Sequence, residues 1–202
     1  MSKRRYCLDC EYPQSACLCA SINVMQSQVQ LVVLQHPSEV QHAKNSVRLL
    51  KQVLPQCEVH VGELPEDFDC LRQRLTQTST QVLVAYPSES SVAIETVAIE
   101  NPAHTTLLLI DGTWRKALKI LKLNPWLQEY QAVHLGDDYQ GRYRIRKAKR
   151  SDSLSSLEAA AYSLAALENE LDISPMLAAF DAMVARQIAA MPAAVQARYQ
   201  EF

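Results

Sequence analysis

Residues 106–114 read Thr106-Leu107-Leu108-Leu109-Ile110-Asp111-Gly112-Thr113-Trp114. An unbroken aliphatic run, cut off by an acid and a glycine, describes a strand buried on both faces that ends in a turn. A helix-like pattern, Arg115–Leu123, follows at once. The same alternation extends in both directions. Strands are expected at Val29–Leu34, Glu58–Val61, Val82–Tyr86, Thr106–Ile110 and Ala132–Leu135. Helices are expected between them at Ala43–Leu54, Asp67–Leu75 and Ser91–Ile99. Short Val/Leu/Ile strands separated by helices predict an α/β fold, a mostly parallel sheet with helices on both faces. Beyond it, Ser155 or Ser156 can cap an Ala- and Leu-rich helix running to about Leu171, and Ser174-Pro175 suits the start of a second.

The 202 residues are 48% hydrophobic and 21% charged, enough apolar side chain for a packed core and too little charge for a disordered chain. Net charge is only -2, so any basic surface must come from clustering. Lys3, Arg4 and Arg5 form one cluster; Arg142, Arg144, Arg146, Lys147, Lys149 and Arg150 form another. The longest aliphatic stretch, near Leu107–Ile110, is far short of the ~20 residues a membrane helix needs, so no membrane association is expected. The basic N-terminus leads into cysteines and not an apolar run, which predicts a cytoplasmic protein. In that compartment cysteines serve more often as metal ligands or reactive groups than as disulfides.

Cys7, Cys10, Cys17 and Cys19 are spaced C-x2-C-x6-C-x-C within a segment, residues 1–25, that shows neither helix nor strand period. Four thiolates in so short a stretch suit tetrahedral zinc, and binding would supply folding free energy that no core provides there. Buried free thiols and an iron–sulfur cluster are the alternatives. The division expected is an N-terminal zinc-binding segment, 1–25, and a catalytic domain, 26–202. Cys57 and Cys70 have no partner at ligand spacing and read as core or incidental residues.

Ligands of open α/β sheets bind beyond the carboxyl ends of the strands. The residues there are Gln35-His36-Pro37-Ser38-Glu39, Tyr86-Pro87-Ser88-Glu89-Ser90 and Asp111-Gly112-Thr113-Trp114. Asp111 is placed as a positioned carboxylate or, equally, as a helix N-cap, with Trp114 as a site residue or a core anchor. The segment Tyr143-Arg144-Ile145-Arg146-Lys147 offers cations for phosphates, or the polar face of a solvated strand.

Together these residues resemble the DTW-domain family. Asp111-Gly112-Thr113-Trp114-Arg115 looks like the family's signature, and it stands among the N-terminal cysteines, His36-Pro37-x-Glu39, Tyr86-Pro87-Ser88, Tyr143-Arg144-Ile145-Arg146-Lys147 and Leu154-x-Ser156-Leu157-Glu158-Ala159 in the expected order. The likeness extends over almost the whole chain, through the helical end carrying Phe180 and Met183. Ser155-Ser156 stands where Ser-Thr is expected, with the hydroxyl kept.

The resemblance implies a fold related to the SPOUT methyltransferases with a C-terminal knot, S-adenosylmethionine as donor, and a tRNA uridine as acceptor. The order of parts is similar to that of bacterial enzymes making 3-(3-amino-3-carboxypropyl)uridine in the tRNA variable loop. Such an enzyme must direct uracil N3 to the first methylene of the methionine chain, releasing methylthioadenosine. N3 is a poor nucleophile until it loses its proton, which makes Asp111 the candidate base. Its rival role is binding the donor's amino group or sulfonium. Tyr86, Pro87, Ser88, Asp111, Thr113, Trp114, Leu135, Ser155 and Ser156 are the donor-pocket candidates. Arg115, Lys116, Arg144, Arg146 and Lys147 are candidates for RNA binding. The competing readings are a SPOUT-like methyltransferase with the same donor and a non-catalytic zinc-containing RNA-binding protein.

Overall fold

The computed structural model describes residues 5–42, 45–136, 139 and 154–199. In chain order the elements are β1 (Gln30–Gln35), α1 (Val47–Val53), β2 (Glu58–Val61), α2 (Asp69–Gln77), β3 (Gln81–Ala85), β4 (Val92–Ala93), β5 (Thr105–Asp111), α3 (Trp114–Leu123), β6 (Gln131–His134), α4 (Ser156–Leu167), α5 (Ser174–Ala189) and α6 (Ala193–Gln196). The strands form one sheet in the order β2-β1-β5-β3-β6-β4, and every pairing is parallel. All their carboxyl ends therefore lie on one edge.

Every residue of β5, the central strand, is buried. Side chains along a strand alternate between faces, so its aliphatic run feeds two cores at once. Leu107 and Leu109 join Leu31, Val33, Leu83 and Phe180 in one cluster, on the side of α1, α4 and α5. Leu108 and Ile110 join Val32, Leu34, Val84, Phe68, Leu71 and Ile120 in the other, with α2 and α3. Such two-sided burial explains why the strands read as continuous apolar runs.

Several boundaries differ from expectation. Ser91–Ile99, expected as a helix, holds the two-residue strand β4 followed by a 3-10 turn at Ile94–Thr96. Val92, Ile94, Thr96 and Val97 are β-branched, and β4 gains backbone partners along β6 (Val92↔Val133, Ala93↔His134). The first helix begins at Val47, where Asn45 Oδ1 accepts from the Val47 and Arg48 amides at 2.9 and 3.3 Å. The Ala-rich helix stops at Leu167 and starts with a capping box: Ser155 Oγ accepts from Glu158 N at 3.2 Å while Glu158 Oε2 accepts from Ser155 N at 2.8 Å. Ser174 is the first residue of α5 and not its cap; its amide and hydroxyl both donate to Asp172, at 2.9 Å each.

The cysteine-bearing segment is packed on the main core. Cys10, Tyr12 and Leu18 are buried within the larger cluster. The Tyr12 hydroxyl donates to Met183 Sδ at 3.5 Å, and the Arg48 guanidinium lies 5.6 Å from the Tyr12 ring centre. Among the described residues no helix is long and apolar enough to cross a membrane.

Candidate active site and cysteine cluster

A cavity of about 550 Å³ opens at the carboxyl ends of β3, β5 and β6, where α4 comes back against them. Its volume falls within the usual ~300–1,000 Å³ of small-molecule sites. The wall brings together Tyr86 and Pro87 after β3, Gly112 and Trp114 after β5, Leu135 after β6, and Ser155 and Ser156 at the start of α4. Apolar side chains such as Ile94, Leu109 and Val133 supply its floor.

Asp111 ends β5 and is 8% exposed. Thr113, two residues on, is the N-cap residue of α3. Ser156 Oγ donates to Asp111 Oδ1. From the other side Gln35 Nε2 donates to Asp111 Oδ2 at 2.8 Å. Gln35 is the last residue of β1, pairs with Asp111 in register, and is 4% exposed. A carboxylate approached by positioned donors is fixed in rotation. Three elements distant in sequence thus converge on one group.

Beside it runs an ion-pair chain. His36 Nδ1 accepts from the Ser38 amide at 3.1 Å, which assigns the proton to Nε2, 2.6 Å from Glu63 Oε2. Lys119 Nζ lies 2.7 Å from Glu63 Oε1, and Lys116 Nζ 2.7 Å from Glu39 Oε1. The Lys119 hydrogen bond holds the Glu63 carboxyl below the usual carboxylate range, with His36 adding to it against desolvation. Asn124, wholly buried, donates to Glu63 O at 3.0 Å and Ile120 O at 2.8 Å while accepting from Trp126 Nε1 at 3.1 Å. That ties the loop after β2 to the end of α3.

Trp114 is 51% exposed and meets Tyr86 edge-on, ring centres 6.1 Å apart. An indole half exposed at the cavity wall is not a core anchor. Arg115 is exposed, whereas Lys116 is engaged by Glu39. Ser88 belongs to a tight loop, donating its amide to Ser91 Oγ at 2.9 Å; Ser91 also contacts His134 Nδ1 at 2.9 Å. Thr113 is exposed beside Trp114. Arg144, Arg146 and Lys147 lie outside the described residues.

Position at a strand end draws notice to Gln35, but only the β1–β5 register reveals its partner, and Glu63 is not singled out by the sequence. Glu63 belongs to an acidic stretch that reads as solvated surface.

The four N-terminal sulfurs lie within 4.8 Å of one another. Cys7 and Cys19 Sγ are 3.5 Å apart, Cys10 and Cys17 Sγ 3.7 Å. Zn–S bonds of ~2.3 Å set at tetrahedral angles place sulfurs ~3.8 Å apart. The Cys7–Cys10 turn closes through Glu11 N donating to Cys7 O at 3.1 Å, with Glu11 in the left-handed region at φ 59°. The Cys10 and then the Asp9 backbone lower the Cys7 thiol to about 7, and Cys17 first among its neighbours raises Cys19 to about 12. Buried Cys57 is pushed up to about 12 by desolvation, and Cys70 is exposed on α2; neither belongs to the cluster.

The sequence profile of the DTW domain matches residues 4–188. The chain is 31% identical over 172 residues to tRNA-uridine aminocarboxypropyltransferase 2 of Macaca fascicularis, a match covering 82% of this chain and 57% of that protein. With the Drosophila melanogaster protein of the same name it shares 32% identity over 181 residues, 87% of this chain and 72% of that one. With tRNA-uridine aminocarboxypropyltransferase A of Arabidopsis thaliana it shares 25% over 199 residues, 82% and 74% of the two chains. The chain spans a little over half the length of the mammalian relative.

Proposed function

The chain belongs to the DTW-domain family, and from that membership we propose that it modifies tRNA, transferring the 3-amino-3-carboxypropyl group of S-adenosylmethionine to N3 of a uridine, in the variable loop. The observation that carries this reading is the buried carboxylate of Asp111 at the tip of the central strand, held by Gln35 and Ser156 against the wall of a cavity large enough for a nucleoside-sized donor. The curated relatives bear names stating this activity.

The donor supplies an activated carbon next to a cationic sulfur, and the protein must orient and deprotonate. Tyr86, Pro87, Leu135, Ser155 and Ser156, with Ser88 and Thr113 beside them, form the donor pocket. Trp114 offers its exposed face to a uracil lifted from its stack. Asp111 serves as the base for the N3–H group, whose loss of a proton makes N3 a nucleophile. Holding the two reactants in line replaces an improbable encounter by a unimolecular step and selects the methylene over the methyl. Arg115, Lys116, Arg144, Arg146 and Lys147 take tRNA phosphates, Arg115 being freer to do so than the Glu39-bound Lys116.

Cys7, Cys10, Cys17 and Cys19 hold a structural zinc. Sulfur separations of 3.5 and 3.7 Å suit its tetrahedron, and four thiolates leave no position for substrate. Residues 1–25 act as the zinc-binding segment and 26–202 as the catalytic domain. The C-terminal part is knotted in the SPOUT manner. In support, β6 ends at His134, and α4, which begins at Ser156, packs against β5, two strands away in the sheet order. The activity is tested by incubating the protein with unmodified tRNA and S-adenosylmethionine, then identifying nucleosides by mass. An aminocarboxypropyl adduct on uridine is expected; an added methyl, or unaltered tRNA, refutes it.

A further inference from the structure

The Ser156 hydroxyl links the wall of the cavity to the carboxylate of Asp111. Ser156, the first residue of α4, lines the cavity, whereas Asp111 is buried behind it. A serine hydroxyl has one proton, and that of Ser156 is directed to Asp111 Oδ1. What Ser156 turns toward the cavity is therefore its oxygen lone pairs, made more electron-rich by the carboxylate behind them. A neutral side chain that is usually a donor is here oriented as an acceptor for an N–H group.

Accepting the function proposed above, on which this rests, the geometry points to Ser156 as the group that takes the N3 proton of uracil and relays it to Asp111. In the transfer step the N3–H bond breaks and its proton passes to Ser156 Oγ, while the proton of Ser156 passes to Asp111 Oδ1. The N3 electron pair forms the bond to the donor's methylene carbon. The carbon–sulfur bond breaks with its electrons going to sulfur, which neutralises the sulfonium and leaves methylthioadenosine. Ser156 ends as it began, Asp111 ends protonated, and charge balances. Gln35 acts as a positioning residue: its amide on Oδ2 leaves Oδ1 turned to Ser156. The other titratable groups near this hydroxyl are Tyr86, His134 and Tyr139 on the same wall, and Glu158 on α4, which is engaged by the Ser155 amide.

The test compares wild type, Ser156→Ala and Ser156→Thr in single-turnover transfer to tRNA at saturating donor, across pH, with donor affinity measured by calorimetry. Removing the hydroxyl should cut the rate at saturating donor by about 10²-fold near neutral pH, beyond any change in donor affinity. The rate of the alanine variant should then climb by about tenfold per pH unit in alkaline solution, where hydroxide replaces the relay, while wild type levels off. Ser156→Thr keeps a hydroxyl at the same place and should recover most of the rate. Loss of folded protein would scale the rate without giving it a tenfold rise per pH unit, so the slope of the pH profile separates the two. If Ser156→Ala transfers at the wild-type rate, or if it loses donor affinity and regains full rate at saturating donor, the relay is wrong although the enzyme stands. A wild type that modifies no tRNA overturns the function and the relay together.

Discussion

Gln35 and Asp111 end neighbouring parallel strands in register, and the Gln35 amide lies 2.8 Å from Asp111 Oδ2. Both side chains are nearly excluded from solvent. A hydrogen bond to an ionised group contributes about 1.5–3 kcal/mol, more than one between neutral groups. Gln35→Leu keeps the bulk and removes the donor. It should lower stability by about 1–3 kcal/mol in denaturant unfolding and slow transfer by about tenfold, since the carboxylate can then rotate away from Ser156. Unchanged single-turnover rates would show that Gln35 contributes only to folding.

Asp111→Asn retains shape and loses the ability to become a neutral acid. An amide can also place its NH2 against Ser156 Oγ, which would turn the serine proton toward the cavity. If Asp111 is the proposed base, the variant should be slower by about 10²-fold or more, with tRNA affinity within a few-fold. Rates measured against donor concentration discriminate the roles. If saturating donor restores turnover, the carboxylate holds the donor's positive charge, and near-wild-type turnover throughout would reduce it to a structural group.

Much of this site is legible in the amino-acid sequence. The run from Leu107 to Ile110 marks a two-sided strand, and its end at Asp111 locates the cavity, because parallel strands place their carboxyl ends together. Tyr86, Pro87, Leu135, Ser155 and Ser156 meet at the wall, as their positions after strands or before a helix suggest. The partners of Asp111 are hidden for a physical reason: strand order joins β1 to β5 across more than seventy positions, |i−j| = 76 for Gln35 and Asp111, and no local period encodes that. Residues 91–99 mislead in the opposite way. Their apolar spacing matches a helical face, yet β-branched side chains and the edge offered by β6 favour extended backbone.

Glu63 predicts the acid limb of stability. Its carboxyl sits below the ordinary range because Lys119 first, and then His36, favour the charged form. A carboxyl lowered on folding contributes stability in full above the unfolded value of ~4.3, and loses it as pH falls through the folded value. Glu63→Gln should therefore lower Tm at neutral pH, and the gap to wild type should close as pH drops below about 4. A gap independent of pH would mean that packing, and not charge, accounts for the effect.

The cysteine cluster makes a separate prediction. Reductively purified protein should carry about one zinc, and chelation should lower Tm because binding is coupled to local folding. Cys10 is 1% exposed and packed with Tyr12 and Leu18, so Cys10→Ser should reduce stability far more than the donor affinity of the folded fraction. Metal analysis finding neither zinc nor iron would refute a metal site.

The most direct test of the whole account follows two labels from the donor. S-adenosylmethionine carrying one isotope in its methyl group and another in the carbons of its methionine chain is incubated with protein and unmodified tRNA. Transfer of the aminocarboxypropyl group requires the chain label to appear in a tRNA uridine while the methyl label leaves with methylthioadenosine. Methyl label in the tRNA would make the protein a methyltransferase, and tRNA free of both labels would contradict catalysis altogether.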